Sequence, residues 1–297
     1  MDNINTPNIN NNSSHTELSQ INQKFFKANV LEIEPSTRSI EENIFEEDLI
    51  IIIDKFVDLH FQETNKGMEE KVRKKFVLDY FSNYSINLQE IYYWLINNQT
   101  GSNSIYLLGY FNYYGIGMDI NEQNAFKLYQ KAAELENILA QFELAGMYLL
   151  GKGVGKNYSK AFELSENLSE RKYPYGINRL GYCYEFGFGT YIDENKAFEL
   201  YQKAADLGNI FGMYNLGRCY KNGFGTSINN KKAFELFQRA ANFECSKAQQ
   251  SLAWMYEKGY GTEKSADLAI YWQNIVYRIY WYIQLSLLIS LFRLTTV

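Results

Sequence analysis

Apolar positions along the chain change character three times. Up to residue 44 they are scattered through a background rich in Asn, Ser, Thr and Glu. Such a stretch buries too little apolar surface to offset the entropy of ordering, so 1–44 is expected to be a disordered tail. From 45 to 100 they recur at helical spacing. Leu49, Ile52, Ile53, Phe56 and Val57, continued by Leu59 and Phe61, make one stripe, which Asn65-Lys66-Gly67 breaks. Val72, Phe76, Val77 and Tyr80 make a second; Ile91, Trp94 and Leu95 make a third. Ile50 to Ile53 also fits a buried strand, but the flanking charges and the lack of a partner strand favour helix.

From 101 to 274 the pattern repeats. Leu108, Leu144, Leu180, Leu216 and Leu252 are spaced by 36 residues, each followed by Gly or Ala. Seven residues after each Leu comes Gly-x-Gly (115/117, 151/153, 187/189, 223/225 and 259/261). Seventeen after it comes Ala125, Ala161, Ala197, Ala233 or Ala269. A fixed period over five copies marks a repeat architecture.

Each copy reads as two helices. Gly176, Leu180, Gly181 and Tyr184 share one face, and the small residues admit a neighbouring helix. Gly187 follows the last turn, where a left-handed residue ends a helix. Thirteen residues after the Leu stand Asn121, Asn157, Asp193, Asn229 and Ser265, all residue types that cap a helix start. A second helix follows, with Ala197, Leu200, Tyr201, Ala204 and Ala205 on its apolar side. One such pair alone is marginal; stacked pairs share a continuous core.

The repeat also disposes of a nucleotide site. "LLGKGVGKNYSK" (149–160) is rich in Gly and Lys, but a P-loop would need Gly where Leu150 stands and a hydroxyl where Asn157 stands. A dinucleotide fingerprint would need Gly at Lys156, after a strand that is not there. The copies at 187/189 and 223/225 carry no such lysines, so the motif reads as a recurring turn.

The L-G-x-x-Y and A-x-x-x-F/Y elements resemble tetratricopeptide units. The length of 36 residues, the Gly-x-Gly in the turn and "KAFELYQKAADLGN" resemble the Sel-one-like repeat family more closely. The resemblance runs from Ser104 to about Trp272; copy two departs from it at "SENLSERKYP" and copy five after Trp272. It implies an all-α, right-handed α/α superhelical solenoid of five helix-turn-helix repeats with an N-terminal helical cap. It further implies a protein-binding scaffold or adaptor in signalling, without catalysis and without a cofactor. In secreted relatives a cysteine pair staples each repeat; Cys183 and Cys219 occupy equivalent positions of different repeats, so that pairing is absent.

In related folds the first helix of each pair lines the concave side. There the face opposite the core falls two residues before, two after and six after the Leu. Two after gives Tyr110, Tyr182, Arg218 and Trp254, with Gly146 in copy two. Two before gives Tyr106, Phe142, Asn178, Tyr214 and Gln250; six after gives Tyr114 and Phe186. Aromatics and Arg dominate binding hot spots. Tyr182, Arg218 and Trp254 are assigned to a groove for a protein or peptide partner. For Tyr106, Phe142 and Tyr214, packing between neighbouring helices and partner contact remain equally open. Replacing Arg218 and Trp254 together by Ala is expected to weaken partner capture without unfolding the chain.

Charge and composition narrow the classes further. A net charge of −5 supplies no basic field for nucleic acid. The three Cys form no C-x-x-C pair, which argues against zinc or a disulfide framework and fits a reducing compartment. The two His, His15 in the tail and His60 on the first apolar stripe, complete no catalytic arrangement. Glu163, Glu199 and Glu235 recur as solvated positions. The start, "MDNINTPNINNNSS", has neither the basic nor the apolar region of an export signal, so a cytoplasmic location is expected. Ile279 to Phe292 carries no charge over 14 residues. A spanning helix needs about 20 apolar residues. Residues 275–297 are therefore a helix covering the end of the stack, a membrane anchor or interfacial helix, which would make the protein a tethered scaffold, or a poorly ordered chain end.

Overall fold

The computed structural model describes residues 46–84 and 86–277, and every regular element among them is helical. Three helices precede the repeats: α1 (Glu46–Asn65), α2 (Glu70–Asn83) and α3 (Leu88–Asn97). Ile50 to Ile53 lies within α1, as the flanking charges favoured. The repeats contribute α4 (Ser102–Tyr114) with α5 (Glu122–Glu134), α6 (Ile138–Leu150) with α7 (Tyr158–Glu170), and α8 (Pro174–Phe186) with α9 (Glu194–Asp206). They continue as α10 (Ile210–Asn222) with α11 (Asn230–Asn242), and α12 (Ser246–Lys258) with α13 (266–277). From α4 to α12 each helix packs chiefly on its neighbours in sequence, the arrangement of a solenoid. The expected tail over 1–44 and the apolar segment beyond 277 lie outside the described residues. Among the described residues no helix is long and apolar enough to cross a membrane.

The repeat signature works as local chemistry. Asn121, Asn157, Asp193 and Asn229 each accept, through the side chain, the backbone N–H three residues on, at 2.9–3.0 Å. Ser265 accepts that of Leu268. The first Gly of each Gly-x-Gly is a left-handed helix end. The second Gly is where one repeat touches the one before it. A Cβ on Gly153 would lie 2.1 Å from the carbonyl oxygen of Glu122, the first residue of the preceding second helix. Gly189, Gly225 and Gly261 meet the carbonyls of Tyr158, Glu194 and Asn230 in the same way. Gly151 to Lys156 is thus an inter-repeat joint, which needs glycine for close backbone approach.

The residue after the repeated Leu is matched to its partner. Gly109, Gly181 and Gly217 lie against the rings of Tyr129, Tyr201 and Phe237, where a Cβ would come within 2.7–2.9 Å. In copies two and five the equivalent second-helix position is Ser165 and Gln273, and the first helix carries Ala145 and Ala253. Ring bulk on one helix is offset by a missing methyl on the other, keeping the pair spacing constant.

The N-terminal segment does more than cap an end. Helix α3 covers the open side of the first repeat, with Ile91 and Leu95 fully buried. Helix α1 instead crosses the stack and packs on the first helices of three successive repeats, α4, α6 and α8. Helix α2 runs back beside it, and the Tyr80 hydroxyl donates to the Ile52 carbonyl at 3.1 Å.

Candidate partner-binding surface

The expected groove is the face of the first helices, and α1 and α2 occupy its first part. His60 of α1 points its ring at Tyr106 and Tyr110, with centroids 6.1 and 4.9 Å away. Phe61 stacks on Phe142 at 6.3 Å and meets Tyr173 edge-on at 5.6 Å. From α2, the Arg73 guanidinium pairs with Glu143 of α6 at 2.8 Å, and Lys74 donates to the Tyr114 carbonyl at 2.9 Å. Tyr106, Tyr110 and Phe142 are consequently buried to within 1% of complete. Their packing partner is the N-terminal hairpin as well as neighbouring first helices.

The turn of the hairpin extends the contact along the helix starts. Asn65 Oδ1 accepts from the Tyr175 N–H at 3.3 Å in the third repeat. In the fourth, Ile210 N–H donates to the Lys66 carbonyl at 2.8 Å, while Asn209 Nδ2 donates to that of Asn65 at 2.9 Å. Asn209 also caps its own helix by accepting from Gly212. Gly67 (φ +79°) passes so close that a Cβ there would lie 2.8 Å from the Asn209 side chain. In the fifth, the Glu69 carboxylate takes both the N–H and the hydroxyl of Ser246 at 2.6 Å. Helix α12 begins after Cys245, which makes no side-chain cap, so Glu69 supplies from outside the acceptor that an Asn supplies elsewhere.

Beyond the hairpin the face is differently built. Arg218 is tied to the repeat before it, donating to both carboxylate oxygens of Glu185 at 2.7 and 3.3 Å. Glu185 in turn accepts from the Tyr201 hydroxyl at 2.6 Å. Asn215 Nδ2 continues the row to Asn178 at 2.9 Å. Arg218→Ala would therefore strip a half-buried carboxylate of its cation, which makes the Arg218/Trp254 pair of substitutions a test of inter-repeat stability as much as of capture. Tyr214 is half-buried against Phe237 at 5.7 Å. In copy two the position held by Gly146 is roofed by Arg179, which lies over the Tyr175 ring.

Of the seven expected residues Tyr182 is exposed, and Trp254, like Arg218 and Tyr214, is half-buried. Tyr182 is 38% exposed and packs on exposed Phe186 at 4.6 Å. Phe188 stacks between Phe186 at 5.8 Å and Tyr158 at 4.6 Å, giving a row of four rings at the joint of repeats two and three. Trp254 is half-buried, with Lys221 Nζ 3.8 Å above its ring and Tyr260 at 5.1 Å.

The expected partner face did not include the hairpin residues His60, Phe61, Gly67, Glu69 and Arg73. Two signals pointed toward them. Helix α4 is apolar all round, with every residue from Ser104 to Tyr114 buried, which is the pattern of an enclosed helix. The starts of α8 and α12 lack the Asn that caps α6 and α10.

The profile of the Sel1 repeat matches residues 102–137, 138–171, 174–209, 210–242 and 246–272. Among solved structures, a Sel1 repeat protein from Oxalobacter formigenes is similar, with 23% identity and a TM-score of 0.54 over 76% of this chain and 82% of that one. The protective antigen c5321 of uropathogenic Escherichia coli, which displays an SLR fold, is similar at 22% identity and a TM-score of 0.53. That match covers 88% of this chain but 56% of the antigen, so the chain spans little more than half of it. These likenesses concern the fold. No curated protein matches the chain.

Proposed function

The chain belongs to the Sel1 repeat family, and from that premise we propose that it is a non-catalytic scaffold that holds a protein or peptide partner, as an adaptor in signalling. The partner contacts the first-helix face beyond the N-terminal hairpin, on repeats three to five. The observation that carries this reading is the row of rings Tyr182, Phe186, Phe188 and Tyr158. Three of the four, Tyr158, Tyr182 and Phe186, are more than a third exposed, whereas Tyr110 and Tyr114, at the positions of Tyr182 and Phe186 in repeat one, are enclosed. Exposed rings on a rigid helix are the residue type that anchors an interface at low entropic cost. Trp254 with its Lys221 offers a second anchor two repeats on.

The test is capture by the full chain carrying Tyr182→Ser and Phe186→Ser, beside Glu199→Ala, a change at an exposed second-helix position. The reading predicts that partners held by the unmodified chain are lost with the double substitution and kept with Glu199→Ala. Equal retention by both variants contradicts it.

A further inference from the structure

The surface between the hairpin and the repeats carries charges and unpaired polar atoms at its centre, where an apolar joint would be more stable. His60 is fully buried, and neither Nδ1 nor Nε2 has a hydrogen-bond partner among the described residues. The hydroxyls of Tyr106 and Tyr110 and Nε of Arg73 are also without partners there. A buried imidazole in this position is tolerated only while it is neutral.

Every element packed around His60 opposes a proton on it. On α1 itself its neighbour is Phe56, at 5.3 Å. From α2 come Phe76, at 6.4 Å, and the Arg73 guanidinium. From α4 come Tyr106 and Tyr110, neutral phenols because burial raises both far above the ordinary value. Glu143 of α6 is already paired with Arg73, Glu70 of α2 lies toward Tyr110, and neither offsets the burial of His60. Burial first, and the Arg73 charge second, hold His60 well below the usual imidazole range.

The other ties are the rings of Phe61, Phe142 and Tyr173, the Lys74 bond to the Tyr114 carbonyl, and the polar contacts of the tip through Asn65, Lys66 and Glu69. Beneath the hairpin each helix from α4 to α12 also packs on its neighbours in sequence. We propose that residues 46–83 form an acid-sensitive latch: protonation of His60 releases the hairpin and uncovers Tyr106, Tyr110 and Phe142 as a second, aromatic part of the first-helix face, fitted to an apolar helix like α1. The identity of that face as a partner surface rests on the proposed scaffold role; the latch itself does not.

The sign follows from linkage. A histidine whose pKa is depressed in the docked state gives up no docking stability above its ordinary value, about 6.5, and loses it progressively below. If docked His60 stays neutral, lowering the pH from 7.5 to 5.0 raises the hairpin's opening equilibrium about 30-fold.

Hydrogen exchange of the full chain at pH 7.5 and 5.0, corrected for the intrinsic pH dependence of exchange, measures this directly. The latch predicts about 30-fold lower protection in α1 and α2 at pH 5.0, with α11, which packs chiefly on α10 and α12, unchanged, and no such response in His60→Leu. Glu69→Gln should open the hairpin more at both pH values and leave the ratio between them intact. Protection of α1 that does not change with pH in the unmodified chain overturns the proposal, as does parallel loss in α11 or the same pH response in His60→Leu. Should His60→Leu not fold, the contrast within the unmodified chain still decides. A flat response leaves the capture experiment with Tyr182 and Phe186 untouched, so the two readings fail separately.

Discussion

The Glu69 carboxylate sits on the start of the helix that begins at Ser246, 177 residues away in the chain, and takes both its N–H and its hydroxyl at 2.6 Å. A residue placed before the solenoid thus completes the hydrogen bonding of its last first helix. With the Asn65 and Lys66 contacts, the tip of the hairpin touches the helix starts of repeats three, four and five. Because an anion at a helix start gains from the cap and from the helix dipole together, Glu69→Ala should cost about 1 kcal/mol. Urea unfolding checks this. Ser246→Ala, which leaves the backbone donor in place, should cost less.

The Gly-x-Gly joints give a sharper contrast. At Gly153 a Cβ would lie 2.1 Å from the Glu122 carbonyl oxygen, whereas two residues on, at Gly155, nothing comes within 4 Å. Gly153→Ala therefore has to push one repeat off its neighbour with φ at +66°, and should destabilise by more than about 2 kcal/mol. Gly155→Ala should fall within about 0.5 kcal/mol of the unmodified chain. Thermal unfolding of the two variants side by side measures the difference.

The three thiols are buried core groups. Burial pushes Cys219 up to about 12 and Cys245 up to about 11, and raises Cys183 as well. Since the thiolate is the reactive form, none should react appreciably with an alkylating reagent at pH 8 while the chain is folded, and all three should react after denaturation. Mass spectrometry counts the adducts. Rapid labelling of Cys219 in the native chain would contradict its placement.

The solenoid was legible because it rests on local rules repeated five times. Caps at Asn157 and Asp193, left-handed glycines at 151 and 187, and an alternating small and large seam each act within one repeat or between neighbours. Copy two still makes a 13-residue second helix where its motif fails, because Ala161 and Leu168 are buried in the core and Ser165 turns its hydroxyl back to the Ala161 carbonyl at 2.6 Å. The occupied groove was not legible, because it depends on contacts across long sequence separations. The stripes at Phe56 and Phe76 identify helices, but nothing in their period says that His60 meets Tyr110 or that Arg73 meets Glu143. Arg218 looked like a free groove cation for the same reason: its partner Glu185 lies in another repeat, 33 residues earlier.

The N-terminal hairpin lies in the first-helix face, and the Arg73–Glu143 ion pair crosses that joint with side-chain exposures of 6% and 13%. A double-mutant cycle with Arg73→Met and Glu143→Leu measures the coupling across it. Either single change strands a buried charge and should cost about 3 kcal/mol, while the double change should recover much of that, leaving a coupling of about 2 kcal/mol or more. Additive effects, with a coupling near zero, would mean that α2 does not pack on α6 in solution and that the groove is open.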